Sequence, residues 1–217
     1  MRHEAALSAA SRIMSASGVE RHDAAVVLGS GWTGAVDVIG TPSWQVPAAD
    51  LPGFLPPLAP GHAGQVASIP LTTGSGDVAH VLVLSGRTHL YEGHGPAAVA
   101  HGVRTAAACG ARVCVLTNAN GSLRPEWPTG TGMLIADHLD LAAVSPLVGA
   151  DFVDLTDCWS PRLRAVARDV DPQLVQGTYA MLRGPEFQTV AELRGLRTIG
   201  TDRPVPGSSS RCIVAWA

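Results

Sequence analysis

The chain has 217 residues, 46% of them hydrophobic and only 15% charged, which suits one domain with a substantial core and excludes a disordered segment. A formal net charge of −3 argues against a nucleic-acid partner held on a basic face. All 15 basic residues are arginine, so lysine Schiff-base chemistry and a Walker-type phosphate loop are excluded as well.

In chain order, residues 4–17 read as an Ala-rich amphipathic helix. Glu4, Arg12 and Glu20 interrupt any apolar stretch near the start, so no secretory leader is expected, and no run is long enough to span a membrane. Ala24 to Leu28 is a short apolar strand ending in Gly29-Ser30-Gly31. Residues 41–64 are rich in Pro and Gly and read as a long loop, or two hairpin-like pieces, closing on Gly61-His62-Ala63-Gly64. Val66 to Leu71 and Ala79 to Leu84 are strands separated by the turn Gly74-Ser75-Gly76-Asp77. Pro96 to Cys109 is a helix with Pro in its first turn and Gly110 as its stop.

Arg112 to Thr117 is a further buried strand, entering Asn118-Ala119-Asn120-Gly121-Ser122, which reads as a tight amide-rich turn. Met133 to Ala136 is a strand followed by Asp137-His138; residues 159–169 are helical, Gly177 to Leu182 a strand and Thr189 to Leu196 a helix. Residues 201–217 are Pro/Ser-rich and read as coil. Strands alternating with helices predict a single α/β domain, a central mixed sheet flanked by helices, with ligands collecting at the strand ends. Cys109 and Cys114 lie in apolar surroundings and read as core residues; no Cys-x-x-Cys spacing occurs, and a reduced, cytoplasmic setting fits.

The richest stretch chemically is Ser85-Gly86-Arg87-Thr88-His89-Leu90-Tyr91-Glu92-Gly93, directly after an apolar strand. In an extended backbone Arg87, His89 and Tyr91 would project from one side, bringing a guanidinium, an imidazole and a phenol together. That set suits an anion held beside a hydroxylated group; a structural Arg–carboxylate pair beside a surface turn reads equally well from these residues alone. Gly29-Ser30-Gly31 could present backbone amides and a hydroxyl to an oxyanion, but lacks the acidic residue of a dinucleotide-binding fingerprint. His62 sits between small residues that permit close backbone approach, although a loop histidine of this kind is more often plain surface. His138 reads as structural, its ring oriented by Asp137, and the histidine spacing assigns no metal.

Together these pieces resemble the purine nucleoside phosphorylase family, in the trimeric branch that also includes methylthioadenosine phosphorylase. The resemblance runs in matching order from about residue 20 to residue 200. It rests on Leu-Gly-Ser-Gly at 28–31, Gly-His-Ala-Gly at 61–64, Gly-Arg-Thr-His-Leu-Tyr-Glu-Gly at 86–93 and Thr-Asn-Ala-Asn-Gly-Ser-Leu at 117–123. Asp-His-Leu-Asp-Leu at 137–141 and the stretch from Gly-Thr-Tyr to Gly-Pro-Glu-Phe-Gln-Thr-Val-Ala-Glu at 177–192 complete it. The resemblance implies phosphorolysis of a purine nucleoside, with inorganic phosphate as co-substrate and no metal or organic cofactor. It implies that Ser30, His62, Arg87, His89 and the backbone of Ala119 hold phosphate, with His89 catalytic. Tyr91 would meet the ribose, Phe187 and Gln188 the base, and Phe152 a neighbouring subunit of a homotrimer.

Two departures stand out. Gln188 occupies the place where the 6-oxopurine enzymes carry a glutamate, which loses a charge-assisted hydrogen bond and leaves methylthioadenosine phosphorolysis open. After Gly200 the family continues with a Met-Ser-Thr-type segment that residues 201–217 do not match. The expectation is therefore a phosphorylase-like domain over residues 1–200, lacking its C-terminal part through truncation or a frame shift, and a divergent tail over 201–217. Impaired turnover, or a non-catalytic remnant that only binds phosphate or nucleoside, are the corresponding functional expectations.

Overall fold

The structure, a computed structural model, describes residues 2–56, 64–150, 152–204 and 210–216. The chain divides into two compact units, Met1–Leu116 and Thr117–Ala217.

In the first unit, helix α1 (Arg2–Ser17) buries Ala6, Ala9, Ala10 and Ile13, the i, i+3, i+4, i+7 stripe of an amphipathic helix. Strand β1 (Ala24–Leu28) is followed by a turn and the short helix α2 (Ala35–Ile39). The segment at 41–56, expected as loop or hairpin pieces, contains strand β2 (Trp44–Pro47) and one 3-10 turn, Ala48–Asp50. Strands β3 (Gln65–Thr72) and β4 (Val78–Ser85) form the expected hairpin, with Thr72 opposite Val78 across the turn. The helix expected over 96–109 is broken at Ala100 into α3 (Pro96–Val99) and α4 (His101–Ala108). Strand β5 (Val113–Asn120) closes the unit and carries the chain into the second.

β1 lies parallel between β4 and β5, while β2, β3 and β4 are antiparallel, so this sheet is mixed. Period-2 alternation sends Ala25, Val27, Leu82 and Leu84 to a core shared with α1 and α4. Leu28, Val81 and Val83 point to the opposite face, against Trp32, Val36 and Ile39 around α2. The strands are covered on both faces, hence their continuous apolar runs. Cys109 and Cys114 belong to this core, and burial pushes both thiols up to about 11.

In the second unit β6 (Gly132–Asp140), α5 (Pro161–Val170), β7 (Val175–Met181), α6 (Val190–Thr198), β8 (Arg203–Pro204) and β9 (Ser210–Trp216) follow in order. The strands are parallel, in the order β9-β6-β7-β8. The coil expected over 201–217 is corrected here: β8 and β9 are strands. Ser210–Trp216 carries Ile, Val and Trp, residues that suit a pleated strand, and the Pro/Ser composition before it masks that preference. Pro204 fits because β8 is the outer strand, where a missing N–H breaks no ladder. The turn expected at 118–122 is also corrected, since β5 continues through Asn120. Asn120 Nδ2 donates to Asn118 Oδ1 at 2.9 Å, two residues apart on one strand face, instead of folding the backbone back.

Just before β1, His22 is fully buried, with Nε2 3.0 Å from Ser68 Oγ and its ring edge-on to His80 at 6.5 Å. Burial, helped by the neighbouring His80, holds its pKa down to about 4. Below the ordinary value of 6.5 the unfolded chain takes a proton that the folded one refuses. Stability is therefore lost as pH falls from 6.5 towards 4, on the order of 3 kcal/mol in total. Thermal melting between pH 7 and 4 is expected to show a shallower decline for His22→Gln than for the parent chain; identical slopes would refute the assignment.

Candidate functional site

β1 and β4 run parallel and end level, with Leu28 opposite Ser85. The Gly86 N–H donates to Leu28 O at 2.8 Å, so the loops leaving the two strands start side by side. Gly86 takes φ +105°, a conformation that favours glycine, and this turns the chain into Arg87. Gly64 N–H donates to Ser85 O at 2.8 Å, placing the start of β3 at the same edge. Thus Ser30, in the turn after β1, and Arg87, after β4, leave one end of the sheet, as the strand pattern predicts. His62 lies outside the described residues.

The 86–93 stretch differs from the extended chain expected. Leu90–Glu92 is a single 3-10 turn, so alternation does not position the side chains. The turn is locked reciprocally: His89 N–H donates to Glu92 Oε1 at 2.9 Å, and the Glu92 N–H donates to the His89 side chain. The Glu92 N–H also donates to the His89 backbone O at 3.1 Å. His89 and Tyr91 are brought together after all, as rings stacked 4.8 Å apart and 12° from parallel. Burial, then the Glu92 carboxylate, raises the Tyr91 pKa above its ordinary value, and the Arg87 guanidinium opposes the rise. Arg87, His89 and Tyr91 thus share one electrostatic neighbourhood by a turn that periodicity alone did not reveal; the His-x-x-Glu spacing was the available signal.

The remaining sequence-derived positions belong to the second unit. Ala119 lies in β5, flanked by the bonded pair Asn118 and Asn120. Phe187 and Gln188 precede α6, whose start is fixed by a capping box between Thr189 and Glu192. Phe187 is 69% exposed, and Gln188 makes one long contact, Nε2 to Glu186 O at 3.5 Å. Phe152 is 96% exposed, amid the exposed apolar residues Leu141, Leu147, Val148, Val153 and Leu155. The His138 ring, expected to be oriented by Asp137, is held by Trp159, whose Nε1 donates to His138 Nδ1 at 2.9 Å. Asp137 accepts from the His138 backbone N–H instead. Sequence reading missed Arg203, fully buried, with Nη1 donating to Asn120 Oδ1 at 3.2 Å and Nη2 to Thr131 O at 3.1 Å. An Arg in a Pro/Ser-rich stretch gave no sign of burial. Among the described residues no group of three or more His, Cys, Asp or Glu is placed to hold a metal, and no helix is long and apolar enough to cross a membrane.

Comparison with known proteins places these features in context. The family model of the phosphorylase superfamily matches residues 23–203. The purine nucleoside phosphorylase of Mycobacterium tuberculosis is 54% identical over 200 residues, which cover 92% of this chain and 72% of that protein. That of Cellulomonas sp is 51% identical over 197 residues, covering 91% and 70% respectively. In fold, the chain is similar to isoform 2 of purine nucleoside phosphorylase from Schistosoma mansoni, solved in complex with cytosine and ribose-1-phosphate. The TM-score is 0.80 at 24% identity, over 97% of this chain and 81% of that one.

Two tyrosines make the electrostatics measurable. In a Tyr179→Phe background, Tyr91 is expected to ionise above pH 10 by absorbance titration. Glu92→Gln should lower that pKa by removing a negative neighbour, and Arg87→Gln should raise it. Shifts of the opposite sign would mean that the three groups do not share this neighbourhood.

Proposed function

Since the chain belongs to the purine nucleoside phosphorylase family of the phosphorylase superfamily, we propose that it binds inorganic phosphate and a purine nucleoside and catalyses phosphorolysis. A phosphate oxygen bonds to the anomeric carbon as the glycosidic C–N bond breaks. The base leaves with the electron pair and takes up a proton, giving free purine and ribose 1-phosphate. The observation that carries this reading is the level ending of β1 and β4, which sets Ser30 and the Arg87–Tyr91 turn at one sheet edge.

Arg87 supplies the planar fork suited to phosphate oxygens, Ser30 a hydroxyl, and His89 an imidazole on a turn held by Glu92. Ala119 contributes its backbone N–H, and His62 is assigned to the same anion on sequence alone. The stacked Tyr91 ring covers the ribose. As the C–N bond stretches the sugar becomes cationic, and a phosphate fixed beside it stabilises that charge while aligned to attack. Phe187 offers an exposed ring to the base and Gln188 an amide edge. An amide both donates and accepts, and this favours methylthioadenosine as a second substrate to be tested beside inosine. We assign the phosphorylase-like part to residues 1–200 and residues 201–217 to a divergent segment. The fully exposed Phe152 within an apolar stretch supports a homotrimer in which that ring meets a neighbouring copy.

The test is phosphate-dependent release of hypoxanthine from inosine, run beside guanosine, adenosine and methylthioadenosine. Turnover that requires phosphate is expected, and Arg87→Ala should lower it by roughly 10²–10³-fold, as for loss of one charge-stabilising donor. Folded protein that binds phosphate without releasing base from any of the four would establish a binding remnant in place of an enzyme.

A further inference from the structure

The second unit contains a cleft of about 340 Å³ that shares no residue with the set assigned to phosphorolysis. Its walls are the loop after β5, with Leu123, Arg124 and Glu126, and the C-terminal end of α6, with Arg197, Gly200 and Thr201. We propose that this cleft is a second binding site for a phosphate group, separate from the phosphate of the reaction.

Arg197 donates from Nε to Leu123 O at 3.1 Å. That bond steadies the side chain and leaves the two terminal nitrogens of its fork for a ligand. Among the described residues no carboxylate pairs with Arg197. Arg124 is anchored similarly, through Nε to Asp202 Oδ1 at 2.5 Å, again with terminal nitrogens to spare. Two guanidiniums held by their inner nitrogens and lining one concavity form a pre-set oxyanion cradle.

One further observation points to a ligand here. Thr201 is 3% exposed, and its hydroxyl has no partner among the described residues, an arrangement that costs stability unless something uses it. Thr201 lines the cleft, so a ligand seated there is the nearest candidate partner for that hydroxyl. The wall formed by the end of α6 is fixed in shape. Gly200 N–H donates to Arg197 O and Thr201 N–H to Leu196 O, with Gly200 at φ +86°, which is the Schellman arrangement. The negative end of the helix dipole opposes an anion here, so the two guanidiniums must outweigh it. Glu126, on the same cleft, disfavours a bare anion and favours a phosphate that also carries a donor, such as the P–OH of hydrogenphosphate or the hydroxyls of a phosphomonoester.

Equilibrium dialysis of the full chain with inorganic phosphate, and in parallel with glycerol phosphate, tests this. Two phosphates per chain are expected for the parent, with Arg87→Ala and Arg197→Gln each retaining one. Arg197→Gln is expected to keep phosphate-dependent inosine turnover. Thr201→Val should weaken the Arg197-dependent phosphate several-fold while melting at or above the parent temperature, since it removes an unpaired buried hydroxyl. A preference of the Arg197-dependent site for glycerol phosphate assigns it to a phosphomonoester, and the reverse preference to free phosphate; both support it. One phosphate per chain in the parent that Arg197→Gln retains, or two in Arg197→Gln, overturns the site. Loss of both in Arg197→Gln, with Thr201→Val binding like the parent, overturns it too. A phosphate lost in Arg197→Gln but not in Arg87→Ala leaves this site standing and sinks the Arg87 assignment instead.

Discussion

Leu28 and Ser85 face each other at the last rung of a parallel pair, and Gly86 N–H bonds back to Leu28 O. A slip of one residue in that pairing would turn Val27 and Leu84 away from the α1/α4 core and Leu28 and Val83 away from α2. The register is thus fixed by two apolar layers at once. Everything polar that follows the two strands inherits its position from it: Ser30 on one side, Arg87 and the locked His89–Glu92 turn on the other. The chemistry sits on flexible-looking sequence, yet its coordinates are set by buried aliphatic residues several positions upstream.

The second unit depends on a different constraint, a neighbouring pair of opposite buried charges. Asp202 accepts from Thr178 N–H at 2.8 Å and from Arg124, while its own backbone bonds Leu123 and Thr178. Gly177 makes room, because a Cβ there would lie 2.8 Å from Asp202 Oδ2. Arg203 lies fully buried over the Trp127 ring at 5.4 Å and bonds Asn120 and Thr131. Asp202 and the first residue of β8, Arg203, thereby tie the 121–131 loop down, and the same loop forms a wall of the cleft proposed for phosphate. Burying such charges is tolerable only because each has several defined partners.

What could be read from the residues follows from how local its cause is. Strands such as Val81-Leu82-Val83-Leu84 and the helical stripe of Ala6, Ala9, Ala10 and Ile13 declare themselves, since burial on known faces demands apolar spacing. The glycine-marked strand ends, and with them the edge that carries Ser30 and Arg87, were legible for the same reason. The way His89 meets Tyr91 was not, because a single 3-10 turn held by Glu92 replaces the extended chain that alternation assumes. Asn118 and Asn120 look like turn residues until their side chains are seen bonding each other along a strand. Ser210–Trp216 was hidden behind a Pro/Ser-rich approach, although its own residues suit a strand. The burial of Arg203 and His22 depends on partners 83 and 46 positions away, which no local pattern encodes.

His22 and the proposed reaction site lie at opposite ends of the same strand, and that separation has consequences for how acid acts on the protein. β1 spans five residues, about 17 Å of extended chain. At an effective dielectric near 20, two unit charges that far apart interact by about 1 kcal/mol, well below the roughly 3 kcal/mol that His22 adds to the pH dependence of folding. Protonating His22 therefore changes the folding equilibrium far more than the potential felt by Arg87 or His89. The two charges that do reach the reaction edge, Arg87 and Glu92, act on Tyr91 in opposite senses. Acid sensitivity of the fold and pH dependence of the chemistry thus arise from different groups, and a single substitution at His22 separates them.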